Sequence, residues 1–365
     1  MCCAANFQAA GSENDPTTKQ ELVLKHGIAE FLKCVPVAYH ESVKKAILKI
    51  DPNVDLSSID FESLLGGFSG AKLFKFKIKN IGYVLRLLSQ DKKNELRRSE
   101  IKAHQTAAKL GIAPKIYYVD SQKDPLVIVM EFIDCRILSQ EDLNNETILK
   151  KSTDAINIFQ NSSVKGLLKQ TRLKAAEALY KDMLQKGVIY PSCFDEIFKK
   201  LKTESKNFKR KLAPTHGDPN PANILIAKDG KVYLIDWSEA RMDNPFIDIG
   251  WLLCMSGANK EQTRTILKAY LSKDPTDLEL KEAAFFRNLT NFVFATLWIA
   301  KQKERAQEKL DALLADPSLK KISEFMKKGE KQKGKVRGLD DTQFTRVALG
   351  WIKELQDSVG KQIGE

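Results

Sequence analysis

One run of twelve residues limits what this chain can fold into more than any other feature. It reads Thr215-His216-Gly217-Asp218-Pro219-Asn220-Pro221-Ala222-Asn223-Ile224-Leu225-Ile226. Pro219 and Pro221 exclude a helix interior, because proline lacks the N–H and clashes with the preceding turn. The apolar end of the run, Ile224 to Ile226, reads as a short buried strand. Lys228-Asp229-Gly230 then supplies a turn and Lys231 to Ile235 a return strand, so a polar loop leads directly into a hairpin. Thirteen residues after Asn223, across that hairpin, the apolar strand ends in Leu234-Ile235-Asp236-Trp237.

The residue types on this loop suit phosphoryl transfer. Asp218 accepts or orients a hydroxyl, and five positions later the amide oxygen of Asn223 reaches a metal ion. A lone carboxylate at the end of an apolar strand is costly to bury unless it binds something cationic. A Mg²⁺ shared by Asp236, Asn223 and nucleotide phosphates satisfies it, since this ion is held by few protein oxygens plus substrate phosphates. The expected catalytic residues are therefore Asp218, Asn223 and Asp236, with Asn223 and Asp236 as metal ligands. The spacing matches the HxDxxxxN loop and the metal-binding Asp of kinase-like phosphotransferases.

Two upstream segments point the same way. Leu65-Gly66-Gly67-Phe68-Ser69-Gly70 precedes a strand. Gly66, Gly67 and Gly70 let backbone N–H groups approach phosphates, and Ser69 adds a donor. In the strand, Phe74, Phe76 and Ile78 alternate with Lys75, Lys77 and Lys79. Asn80-Ile81-Gly82 is the expected turn, and Tyr83 to Leu88 the second strand. Arg86 shares a face with Val84 and Leu88, so it projects into a cleft. The next helix, Asn94 to Leu110, stops at Gly111 and carries a stripe of Leu96, Glu100, Ala103, Ala107 and Leu110. Glu100 on an apolar seam needs a cationic partner, and Arg86 is the obvious one.

Elsewhere, Lys19 to Ile50 reads as helix broken at Pro36, and the chain after Phe132 is mostly helical. Its last helix has Phe344, Val347, Ala348, Trp351, Ile352, Leu355 and Val359 on one stripe. The expected fold class is α+β and bilobal. Residues 1–60 form a partly helical extension, 61–133 a small β-rich lobe that binds nucleotide, and 134–365 a larger helical lobe carrying the loop and the substrate site. Apolar residues at 43% and charged ones at 29% exclude a largely disordered chain. Six scattered cysteines with no CxxC pair fit reduced thiols in a cytoplasmic protein, not a disulfide framework or zinc site. The most apolar stretch, Phe285 to Ala300, is interrupted by Arg287, Asn288 and Asn291 and is short of the ~20 residues a membrane span needs.

These phrases together resemble the aminoglycoside phosphotransferase and choline kinase family, whose fold is protein-kinase-like. The similarity runs from about Leu64 to Trp298. It rests on the glycine loop, Val84-Leu85-Arg86, Gly111 to Lys115, Met130-Glu131-Phe132-Ile133, the His216 loop, and Ile235-Asp236-Trp237 through Asn244-Pro245-Phe246-Ile247-Asp248. The resemblance implies ATP and Mg²⁺ as cofactors and a hydroxylated small molecule as acceptor. It implies that Arg86 stands in for the phosphate-contacting lysine of protein kinases, as in choline kinases. It makes Glu131 to Ile133 the hinge that meets adenine, and gives Asp248 and His216 the task of holding the loop.

The sequence departs from the family in two places. Asp134 is followed by Cys135-Arg136 where members often have glycine, and the helix Asn291 to Trp298 keeps one tryptophan, Trp298, of the pair that cages a quaternary ammonium. The charged residues from Asp236 to Asp248 sum to −3 in a chain of net +12, which suits a cationic acceptor. Glu239 and Trp298 are the expected substrate contacts, although Phe292, Phe294 and Trp298 at helical spacing equally read as core. A different class of function, a catalytically silent kinase-fold binding protein, would use the segment Lys320 to Arg337, whose eight basic and two acidic residues carry +6. Phe325 is its sole aromatic, so nucleic acid is not the expected partner.

Overall fold

The computed structural model describes residues 24–64, 72–88, 94–120, 126–304, 306–327 and 340–359. The glycine loop from Gly66 to Gly70 and residues 328–337 of the basic segment lie outside them. A six-stranded sheet, ordered β1-β2-β3-β4-β6-β5, comes first. Its strands are β1 (Leu24–His26), β2 (Asp60–Leu64), β3 (Lys72–Ile78), β4 (Ile81–Leu87), β5 (Ile116–Val119) and β6 (Val127–Glu131). Helices α1 (Gly27–Lys33) and α2 (His40–Ile50) cover one face, while α3 (Asn94–Lys109) carries Glu100 to the face that bears Arg86. Phe31, Phe61, Phe76 and Tyr83 stack across the strands under α1, with successive centroids 4.1, 5.6 and 5.3 Å apart. Residues 27–50 thus share one apolar core with the sheet.

Three expectations are corrected here. The stretch expected as helix from Lys19 begins, within the described residues, as strand β1, because Leu24 to His26 pair antiparallel with Asp60 to Glu62. The hairpin turn is Lys79-Asn80, not Asn80-Ile81-Gly82. Both turn residues are at positive φ between the partners Ile78 and Ile81, the two-residue geometry that matches strand twist. Leu110 falls beyond the last turn of α3 and is exposed, so the buried stripe ends at Ala107.

The second lobe starts with β7 (Cys135–Ile137), which joins β9 (Ile224–Ala227) and β10 (Val232–Leu234) in a three-stranded sheet. Strands β8 (Ala213–Thr215) and β11 (Arg241–Asp243) form a separate pair. Around them pack α4 (Glu146–Gln160), α5 (Arg172–Gln185), α6 (Phe194–Glu204), α7 (Phe246–Met255), α8 (Lys260–Leu271), α9 (Asp277–Lys301), α10 (Gln307–Ala315), α11 (Ile322–Lys327) and α12 (Asp341–Val359). Helix α9 is apolar on nearly every side because α5, α6, α7 and α12 all pack on it, which explains its membrane-like composition. Among the described residues no helix is long and apolar enough to cross a membrane.

Candidate active site

The hairpin does the first part of the assembly. Ile224 pairs with Leu234, so Asn223 and Ile235 stand opposite each other at its open end, and the Ile235 N–H donates to the Asn223 carbonyl at 3.0 Å. Asp236 follows at once in the left-handed region, φ 59°, with 27% of its side chain exposed. A non-glycine residue held there stores strain that the surroundings must sustain, a pattern that clusters at functional sites. Asn223 is fixed from the other side, its Nδ2 donating to the Asp218 carbonyl at 2.9 Å, which leaves its amide oxygen as acceptor. One carboxylate and one amide oxygen is a donor set that fits Mg²⁺ completed by phosphates. Among the described residues no group of three or more His, Cys, Asp or Glu forms a self-sufficient metal cage.

Asp218 is held by one of its two oxygens. Oδ1 accepts from Asn220 Nδ2 at 2.8 Å and from Trp251 Nε1 at 2.5 Å, while Asn220 Oδ1 caps the short turn before Asn223. The half-buried carboxyl is pushed up to about 7, chiefly by burial, with the nearby charges of Asp236 and Glu239 adding and the Asn220 and Trp251 bonds opposing. The loop backbone hangs on Asp248, which accepts from Gly217 N at 2.8 Å, His216 N at 3.1 Å and Gln160 Nε2 at 2.9 Å. His216 donates from Nε2 to the Ile235 carbonyl at 2.9 Å and accepts the Asp218 N–H at Nδ1, an assignment of tautomer set by the two partners. It braces the loop and is not placed as a base.

Burial pushes His216 down to about 4, and burial aided by the Arg86 charge does the same to His104. The sign follows directly. A histidine kept neutral in the fold but free to protonate near 6.5 when unfolded contributes stability above 6.5, and this is lost as pH falls towards 4. Each should cost on the order of 2 kcal/mol between pH 7 and pH 5. Urea midpoints at the two pH values measure this, and His104→Gln should shrink the drop. An unchanged drop in that variant would contradict the assignment.

Facing the loop, Arg86 Nη2 lies 2.6 Å from Glu100 and 3.4 Å from Asp236. Both partners of the closer pair are buried, at 6% and 2% exposure. Burial works against the guanidinium charge, and the carboxylates of Glu100 and Asp236 outweigh it. At the end of β6, the Glu131 N–H donates to the Lys115 carbonyl and the Phe132 N–H to that of Gly82, so the chain leaves the sheet just before Ile133. The lobes are further tied by Ser99 on α3, whose hydroxyl donates to the Ala240 carbonyl at 3.2 Å.

Glu239 and Trp298 are both buried. Glu239 is 8% exposed, and its Oε2 accepts from Arg172 Nη1 at 2.9 Å and Arg241 Nη2 at 2.6 Å. Its charge is answered inside the protein by these two guanidinium groups. Trp298 stacks on Phe344 of α12, centroids 5.1 Å apart, within the helical core. Its neighbour Phe294 stacks in turn on Trp351. The aromatic side chain that touches Asp218 is Trp251, and with Arg172 it was missed. Trp251 sits in an apolar helix and reads as core, whereas Arg172 opens α5 and reads as a solvated end. The one signal was position, Trp251 lying three residues after Asp248.

Comparisons with known proteins bear on the family and the fold of the chain. Residues 60–282 match the phosphotransferase enzyme family. A LicA homolog of Metamycoplasma hominis is 27% identical over 227 residues, covering 61% of this chain and 82% of its own. The choline kinase LicA from Streptococcus pneumoniae has a similar fold, with a TM-score of 0.59 at 17% identity over 87% of this chain and 99% of that one. A spectinomycin phosphotransferase solved with ADP and spectinomycin gives 0.52 at 12% identity, over 86% and 98%.

Proposed function

Because the chain belongs to the phosphotransferase enzyme family, we propose that it transfers the γ-phosphate of ATP to a hydroxyl of a small molecule, an amino alcohol such as choline or ethanolamine or an aminosugar. The observation that carries this reading is the one-sided grip on Asp218. With Oδ1 occupied by Asn220 and Trp251, Oδ2 is the oxygen left to accept the hydroxyl proton's hydrogen bond and aim the nucleophile. Arg86, charged and fixed by Glu100, neutralises phosphate oxygens, with Gly66, Gly67, Ser69 and Gly70 as the proposed covering loop and Glu131 to Ile133 as the purine edge. Asn223 and Asp236 would hold Mg²⁺, which when bound supplies charge neutralisation at the β- and γ-phosphates. In a loose transition state such positioning and charge compensation carry most of the acceleration.

The names of the relatives support the substrate class, choline in one and spectinomycin in another. ADP in the latter supports an adenine nucleotide. The test is ADP release from Mg²⁺-ATP across choline, ethanolamine, thiamine and a set of aminoglycosides, with Asp218→Asn as the blank. One clear acceptor is the expected result. Silence across the panel, with nucleotide binding confirmed separately, would remove the amino-alcohol and aminosugar assignment.

A further inference from the structure

Arg172 makes contacts that a structural salt bridge does not need. It is 4% exposed at the first turn of α5, and its backbone N–H donates to Asp243 Oδ2 at 2.5 Å. Nη1 reaches Glu239 Oε2 at 2.9 Å, and Nη2 reaches the Gly217 carbonyl at 2.8 Å. The guanidinium carbon, Cζ, lies over the Trp251 ring, 4.6 Å from its centroid. One side chain therefore touches the residue before Asp218, the segment after Asp236, and the indole that hydrogen-bonds Asp218.

We infer that Arg172 is a positioning residue for phosphoryl transfer, acting on Asp218 through Trp251 and Gly217 without touching it. The inference rests on the phosphotransferase reading above. The Trp251 ring is in contact with both the guanidinium and Phe294, whose centroid is 5.3 Å away at a tilt of 55°, and these two contacts orient its plane. That plane decides where Nε1 points, and Nε1 holds Asp218 Oδ1. A cation over the ring also draws density from the indole and strengthens its N–H as a donor. Meanwhile the Nη2 bond pins the Gly217 carbonyl, one peptide from the Asp218 Cα. Geometry of this order governs rate, because a displacement near 1 Å at a reacting group costs about a hundredfold. Arginine is required, since a planar fork can bond two oxygens and stack at once, whereas a lysine ammonium cannot.

The experiment has two readouts. The chain holds four tryptophans, so a ¹⁵N-labelled sample shows four indole N–H signals, and Trp251→Phe identifies the one from Trp251. In Arg172→Gln that signal should move upfield, as its bond to Asp218 weakens, with no substrate present. On the acceptor found in the panel, kcat should fall about ten- to hundredfold with ATP affinity retained. Arg172→Lys should recover the melting temperature, by keeping a cation beside Glu239, but neither kcat nor the indole shift. Full rescue by lysine, or a folded Arg172→Gln with an unmoved indole signal and normal kcat, overturns the inference. Should Arg172→Gln fail to fold, Trp251→Phe keeps the packing and removes the donor, and normal turnover there overturns it equally. A shifted indole with no turnover of any panel acceptor by the wild-type protein supports the contact and removes the amino-alcohol and aminosugar assignment instead.

Discussion

Asp218→Asn should lower kcat by about 10²–10⁴-fold while leaving nucleotide binding intact. The substitution is nearly isosteric, and the asparagine Oδ1 can still accept from Asn220 and Trp251, so the loop keeps its shape. What changes is the second position. An NH₂ replaces Oδ2, and the acceptor of the substrate hydroxyl becomes a donor that turns the nucleophile away from the phosphate. Stability should move in the opposite direction. Burial and two neighbouring carboxylates raise the Asp218 carboxyl to about 7, so at neutral pH the fold bears the cost of an ionised group that asparagine abolishes. A higher melting temperature joined to a lost rate is the mark of a residue kept for chemistry at the expense of stability. Steady-state ADP release and a thermal melt on the same sample check both halves, and turnover near the wild-type value would end the role assigned to Asp218.

What the sequence disclosed and what it hid divide along a physical line. Arg86 and Glu100 were each out of place on an apolar seam, one at strand period and one at helix spacing, and two complementary anomalies name each other; they meet at 2.6 Å. The feet of the hairpin were legible for the same reason, because a turn at Lys228-Asp229-Gly230 fixes which residues oppose. The buried pairing of Glu239 was not legible because one of its partners, Arg172, lies sixty-seven residues upstream, and no local pattern reveals a pairing of that range. Net charge counted along Asp236 to Asp248 therefore overstated the negative field, since a cation from another helix enters the same cluster. Trp298 and Trp251 share the spacing of core residues, and periodicity alone cannot say which ring meets a polar atom. Strand β1 escaped because three residues show no period, and its pairing with β2 is a tertiary fact.

Gly217→Ala should damage fold and rate together, which separates it from Asp218→Asn. Gly217 has φ +81°, and a Cβ there would sit 2.3 Å from the Glu239 carbonyl oxygen and 2.9 Å from its carbon. Both are backbone atoms, so no rotamer change relieves the clash. Nor can the two segments part easily, because Thr215 pairs with Arg241 just beside them, and the His216 and Gly217 N–H groups both donate to Asp248. A left-handed alanine costs about 1–2 kcal/mol, and overpacking adds about 1–3. The expected loss is therefore about 2–5 kcal/mol, readable as a lower urea midpoint. Any relief must come from moving the loop, and that movement carries Asp218 with it, so the surviving folded fraction should also turn over more slowly. The reason is economy of structure. The same close approach that excludes a side chain at 217 lets Arg172 reach the Gly217 carbonyl and Asp248 its N–H, so one backbone position fixes the start of Asp218 from two sides. A variant with wild-type stability would show that this approach is not needed, and with it would go the argument that the loop is rigid by construction.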